Sequence, residues 1–265
     1  MRRHLTPLLF VALLAGAACG GADPNLPAAG SVEADKYLFD RGTAALQDRD
    51  WIEAREYFRQ LVDTYPQSQY RQEAKLGIGD TYLGQSNYES NVLAVNEFQE
   101  FLSFFPGHPR TDYAQYKVAL AWANQMLGPR RDPTPAQATL TETEIFLQNY
   151  PNSDLRPQVL ELRRRALDDI SGHDYNVGLY YFRIEWYPGA IERFKAILEQ
   201  DPEYPQRDAV YFYLGEIYHA SDQTAEALPY FDRLVTEFEE SDYLERARRR
   251  IAEINAATQQ TSDGT

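Results

Sequence analysis

The sequence predicts an all-α fold, a right-handed superhelix of about five helix pairs closed by a C-terminal capping helix. Three observations predict it. A ruler of small residue, large residue and helix-ending proline recurs: Ala54-x3-Phe58 leads to Pro66, Ala94-x3-Phe98 to Pro106 and Ala190-x3-Phe194 to Pro202, with eight residues from each Phe to its Pro. Upstream, Gly42, Gly178 and Gly215 each stand twelve residues before Ala54, Ala190 and Ala227, while Gly79 stands fifteen before Ala94. An aromatic follows at fixed offset in Gly79-x2-Tyr82, Gly178-x2-Tyr181 and Gly215-x2-Tyr218. Self-similarity of this kind marks stacked helical repeats.

The order of residue types has a steric cause. Gly178 and Ala190 let two antiparallel helices approach closely, and Tyr181 and Phe194 fill the space beside that contact. Pro202 lacks the N–H needed to continue the helix, so the chain turns into the next repeat. These are tetratricopeptide positions, and each helix pair leaves an apolar face that only a neighbouring pair covers.

Along the chain, residues 1–18 read as a signal peptide: Arg2 and Arg3 precede an apolar run from Leu8 to Ala18, closed by Gly16-Ala17-Ala18-Cys19. The run is about half the roughly 20 residues that a membrane span needs. An apolar leader ending directly on cysteine resembles a bacterial lipobox, which makes Cys19 the expected lipidation site. Gly16 departs from the aliphatic residue usual there. The same pattern also admits plain secretory cleavage near Ala18, with Cys19 left as a free thiol. Residues 19–33 then form a lipidated flexible tether, rich in glycine, proline and alanine.

The first repeat runs from about Ala34 to Pro66, the second from Tyr70 to Pro106 and the third from Asp112 to Pro151. Three extra residues, around Asn91 to Leu93, lengthen the second. The third is irregular, because Gly128-Pro129-Arg130-Arg131-Asp132-Pro133-Thr134-Pro135 interrupts it and Thr143 stands where phenylalanine stands elsewhere. A charged helix from Pro157 to Ile170 bridges to the fourth repeat, which is expected to begin beyond Ser171-Gly172, near Asp174, and to end at Pro202. The fifth covers about Asp208 to Glu239, and a closing helix from about Tyr243 to Asn255 carries Arg246, Arg248, Arg249 and Arg250. Near a helix C-terminus these arginines would complement the dipole; the alternative is a partner-binding patch. The expected division is an N-terminal unit over 34–170, a C-terminal unit over 171–255 and a disordered tail over 256–265.

Composition narrows function. The chain carries 26 Lys and Arg against 40 Asp and Glu, a net charge of −14 that becomes −16 once Arg2 and Arg3 leave. Such a surface disfavours nucleic acid and anionic lipid alike, so membrane contact rests on the lipid anchor. With one cysteine in the sequence, no internal disulfide can form. His108, His173 and His219 fall in separate repeats without metal-binding spacing, and there is no phosphate loop or nucleophile elbow. No enzyme activity, cofactor or metal is expected.

Tyr65-Pro66-Gln67-Ser68-Gln69-Tyr70, Phe105-Pro106-Gly107-His108-Pro109 followed by Asp112-Tyr113, and Arg131-Asp132-Pro133 leading to Tyr150-Pro151-Asn152-Ser153 stand in an order and spacing similar to the BamD family of outer-membrane assembly lipoproteins. The resemblance covers about residues 34–250. It implies a non-catalytic scaffold, lipid-anchored in the outer membrane and facing the periplasm, within the machine that folds and inserts β-barrel proteins. Its partners would be the periplasmic domains of the barrel-forming assembly protein, held by the C-terminal repeats, and unfolded outer-membrane protein clients, met by the N-terminal repeats. Arg193 falls at the position of the family's partner-contacting arginine. Stacked helix pairs also form a groove lined by first-helix residues, for which Tyr82, Tyr116 and Trp122 are candidates. A periplasmic repeat lipoprotein that organises cell-wall synthesis or a secretion complex is the alternative, since the fold alone does not choose between them.

Overall fold

The computed structural model describes residues 33–263; Cys19, the 1–18 leader and the tether up to residue 32 lie outside them. The described residues form eleven helices and no strand: α1 Ala34–Gln47, α2 Trp51–Thr64, α3 Arg71–Gln85, α4 Tyr88–Phe104, α5 Thr111–Ala123, α6 Thr134–Asn149, α7 Arg156–Arg183, α8 Tyr187–Gln200, α9 Arg207–Ala220, α10 Thr224–Glu237 and α11 Leu244–Asp263. Each helix packs on the next through a short connection, giving five helix pairs and a closing helix, the all-α tetratricopeptide architecture expected.

Glycine and phenylalanine set the approach within each pair. A Cβ added at Gly42 would come within 2.7 Å of the Phe58 ring, at Gly79 within 2.6 Å of Phe98, at Gly178 within 2.7 Å of Phe194 and at Gly215 within 2.5 Å of Phe231. All four rings are buried, so no side chain fits at those glycines unless the ring moves. The third repeat solves the same problem with different residues. Ala119 stands ninth in α5, as Gly42, Gly79 and Gly215 stand ninth in α1, α3 and α9, while Thr143 replaces the ring. Both are fully buried, and the smaller threonine leaves room for the extra methyl. Thr143 satisfies its hydroxyl by donating to Leu140 O at 2.7 Å.

The tight turns inside the other four repeats each place one residue in the left-handed region: Arg49, Ser86, Glu185 and Asp222, with φ between 52° and 65°. None is glycine, although a left-handed residue after a helix end usually is. The turns between repeats carry a second device. Ser68, Ser153 and Ser241 each donate to the aspartate at the second position of the first helix of the repeat they follow, respectively Asp35, Asp112 and Asp208, at 2.6 Å. Each serine oxygen also accepts an N–H two residues on. In the second repeat His108 Nδ1 accepts from the Arg110 N–H instead.

Two cores result. One gathers buried side chains of α1 to α5, the other those of α8 to α11 with the end of α7. The three residues beyond the common repeat length add a turn to α4, leaving Tyr88 and Leu93 exposed.

Helix α7 departs from the expected layout. Ser171-Gly172 does not end it; the bridging helix and the first helix of the fourth repeat are one 28-residue helix, and a boundary at 170/171 falls inside it. Gly172 serves close approach there, since an added Cβ would come within 2.8 Å of Pro129 in the α5–α6 loop. Ser171 donates to Asp201 at 2.9 Å, so its hydroxyl is engaged across the structure instead of competing for the helix backbone. Asp201, buried to 1% at the end of α8, also receives Arg164 in a bidentate pair, one bond at 2.8 Å. Burial pushes the Asp201 carboxyl up, but the hydrogen bonds from Arg164 and Ser171 outweigh it and hold it below the usual carboxylate range.

Helix α11 likewise continues past Asn255 to Asp263, where a disordered tail was expected from residue 256. Ile254 is buried, and the Ala and Gln residues beyond it are good helix formers. This moves the arginine cluster into the first turns of α11, so the dipole explanation does not hold. Arg246 instead lies 4.2 Å over the Phe212 ring, and Arg250 pairs with Glu216 of α9 at 2.7 Å, fastening the closing helix to the stack.

Candidate functional site

Arg193 lies on α8 beside Phe194, the ring that packs against Gly178 of α7. Its Nη1 donates to Asp174 Oδ1 at 2.9 Å; the Asp174 side chain is 14% exposed and that of Arg193 43%. The aspartate fixes one edge of the guanidinium while nearly half the side chain faces solvent. A guanidinium has five N–H donors in a rigid fork, so the free edge can take a carboxylate or backbone carbonyl from outside.

In the N-terminal repeats, first helices and their turns enclose a shallow groove of about 430 Å³. It is lined by Leu46 of α1, Trp51 at the start of α2, Asp80 of α3, Tyr113 and Lys117 of α5, and Asn124 just after α5. The Tyr113 hydroxyl donates to the Asp80 carboxylate at 2.8 Å, and Lys117 Nζ stands 3.2 Å from the same carboxylate. Burial, then the Asp80 charge, push the Tyr113 phenol up, which keeps it a neutral donor. Arg110 covers the same ring at 4.1 Å. The groove thus offers apolar surface beside both signs of charge, a lining suited to an extended peptide.

Tyr82, Tyr116 and Trp122 do not line this groove. Tyr82 is buried, capped by Arg55 at 4.1 Å from its ring centroid, and its hydroxyl accepts from Arg59 Nη2 at 2.6 Å. Tyr116 is half-buried beside Ala119, Ala123 and Leu162, and burial, with the charge of Glu161 behind it, raises its phenol. Trp122 packs on the N-terminal core. The difference is one of register. Ala114, Val118 and Ala121 are fully buried, so the groove face of α5 runs one position earlier, through Tyr113, Lys117 and Leu120. The i, i+4, i+7 spacing of a tyrosine, a lysine and a leucine was the available signal.

Among the described residues no group of three or more His, Asp or Glu side chains could hold a metal, and no helix is long and apolar enough to cross a membrane.

A family described as YfiO, outer membrane lipoprotein, matches residues 32–226. The chain belongs to this family. Within it, the chain is 26% identical over 181 residues to the outer membrane protein assembly factor BamD of Caulobacter vibrioides, covering 68% of this chain and 58% of the relative. It is 26% identical over 242 residues to BamD of Xylella fastidiosa, covering 83% and 78%, and 23% identical over 238 residues to that of Haemophilus influenzae, covering 84% and 86%. The chain thus spans less than two thirds of the Caulobacter relative but most of the other two. The YfiO match runs from just before α1 into α10, so it takes in both the groove and Arg193.

Proposed function

We propose that the protein is an outer-membrane assembly factor: a non-catalytic scaffold, anchored through lipidated Cys19 to the outer membrane and facing the periplasm, that helps fold and insert β-barrel proteins. The membership in the outer membrane lipoprotein family over both halves of the stack carries this reading. Its two halves take different roles. Arg193, held at one edge by Asp174 and open at the other, docks the periplasmic domains of the barrel-forming partner. The groove of Tyr113, Lys117 and Asp80 receives extended segments of unfolded outer-membrane clients, with apolar floor for their side chains and charged groups for their backbone and polar residues.

The test is an affinity pull-down of the lipidated protein from detergent-solubilised envelopes, wild type against Arg193→Glu, with partners identified by mass spectrometry. A barrel protein with periplasmic domains should be recovered, and recovery should fall at least about tenfold on charge reversal, the loss a hydrogen-bonded interface charge brings. Recovery unaffected by Arg193→Glu would remove the arginine from the interface. Cell-wall enzymes or secretion pores in place of the barrel would overturn the assembly role.

A further inference from the structure

A larger cleft, about 790 Å³, opens on a different face of α7. On α7 it is lined by His173, Asn176, Val177 and Tyr180 at helical spacing and, to one side of them, by Tyr175 and Tyr181, while Gly178 and Asp174 point to α8. Pro129 and Arg130 of the α5–α6 loop and Tyr204 of the α8–α9 loop form its walls, with Arg183 at one end.

Its lining runs against the rest of the molecule. The chain has 40 acidic residues against 26 basic, yet no carboxylate lines this cleft; its ionisable groups are Arg130, Arg183, His173 and tyrosines. Arg130 and Arg183 are exposed, and neither has an ion-pair partner among the described residues, whereas Arg163, Arg164 and Arg193 nearby in the fold each have one. The adjoining rim is apolar. Tyr180 is 59% exposed, Ile184 54% and Trp186 50%, and the Trp186 ring is held edge-on to Tyr181 at 4.5 Å between centroids. Unpaired arginines beside fixed, exposed aromatic rings are the composition in which binding energy concentrates at protein interfaces.

We propose that this cleft and rim dock an extended segment of a partner protein in which carboxylates stand beside aromatic or aliphatic side chains. The carboxylates would accept from Arg130 and Arg183, and the apolar side chains would cover Tyr180, Ile184 and Trp186. Phosphate groups would also suit the arginines, but a membrane surface or nucleic acid would meet the strongly acidic remainder of the protein. A short segment senses only charges within about a Debye length, roughly 8 Å, which here are the two arginines of the lining and, behind His173, Asp132 and Asp169. Neither Arg193 of α8 nor its partner Asp174 lines this cleft, so the site stands or falls apart from the proposed function.

The experiment measures fluorescence anisotropy of a labelled peptide alternating aspartate or glutamate with phenylalanine or leucine, titrated with the full chain in detergent. A counterpart with lysine at every acidic position and vesicles containing phosphatidylglycerol are the comparisons. The acidic probe should bind saturably, the lysine probe at least about tenfold more weakly, and the double variant Arg130→Glu with Arg183→Glu should lower affinity for the acidic probe about tenfold or more. Tyr180→Ala with Trp186→Ala should lower it too, and Arg193→Glu should not. The proposal is overturned if the acidic probe does not bind, if either double variant binds it as the wild type does, or if the two arginines direct binding to the vesicles and not to the peptide.

Discussion

Asp201 offers the sharpest test of how the two halves are joined, because it ties the end of α8 to the middle of α7. Its side chain is 1% exposed and takes two hydrogen bonds from Arg164 and one from Ser171. Removing one partner of a buried pair costs roughly 3–5 kcal/mol. In Asp201→Asn the amide oxygen still accepts one bond and Arg164 keeps Asp168 at 2.9 Å, so a loss at or below the bottom of that range, about 2–3 kcal/mol, is expected. At roughly 2–4 °C per kcal/mol for a chain of this size, Tm should fall by about 5–10 °C, read by circular dichroism at 222 nm. Arg164→Met should cost more, because it strands a buried carboxylate, and the double variant should cost less than the sum by at least about 1.5 kcal/mol. The pH dependence has a fixed sign. The folded-state pKa lies below the ordinary value, so the contribution is complete above the unfolded pKa of 3.8 and disappears as pH falls through the lower folded value. The Tm gap between wild type and Asp201→Asn should therefore stay constant from neutral pH to about 5 and close in stronger acid. Additivity of the two substitutions within about 0.5 kcal/mol would refute the coupling.

Four further outcomes are expected. Thr143→Phe should destabilise by roughly 1–3 kcal/mol through overpacking, and adding Ala119→Gly should recover much of it by rebuilding the small-large pair of the other repeats, as denaturant melts would report. Glu185→Gly, at a left-handed turn residue, should raise stability by several tenths to about 1 kcal/mol. Ser241→Ala should cost about 1 kcal/mol and quicken amide exchange at Tyr243, whose N–H its oxygen accepts. Cys19→Ala should move the protein from the membrane to the soluble fraction on cell fractionation.

The repeat architecture was legible because its rule is steric and local. A phenyl ring on one helix forbids a Cβ on its partner, so glycine and phenylalanine appear at a fixed spacing that survives insertions elsewhere. The left-handed turns were not legible, because the closeness of the helix pairs imposes their backbone on Arg49, Ser86, Glu185 and Asp222, whose types give no sign of it. The Ser171-Gly172 step misled for a related reason. A glycine in a helical run reads as a breaker, yet Gly172 is small because Pro129, more than forty positions away in the chain, lies against the helix. Such a constraint belongs to tertiary structure, and composition alone does not distinguish it from a turn.

The candidate sites divide along the same line. Arg193 was marked by family position, and the structure adds what position could not: a fixed partner, Asp174, that orients the guanidinium and leaves one edge free. The groove needed helix phase. An aromatic near the expected face was a reasonable choice from sequence, but a helix turns 100° per residue, so Tyr116, three positions past Tyr113, is turned about 60° away to lie beside Leu162 of α7, and Trp122 packs on the core. The basic cleft was invisible for a stronger reason. Arg130, Arg183 and Tyr204 are spread over three segments of an acidic chain, and a lining without a carboxylate becomes a feature only when the unbroken α7 brings the α5–α6 loop and the α8–α9 loop to one face. The helix that erases the expected boundary between the halves therefore also assembles a cleft whose lining carries two arginines and no carboxylate.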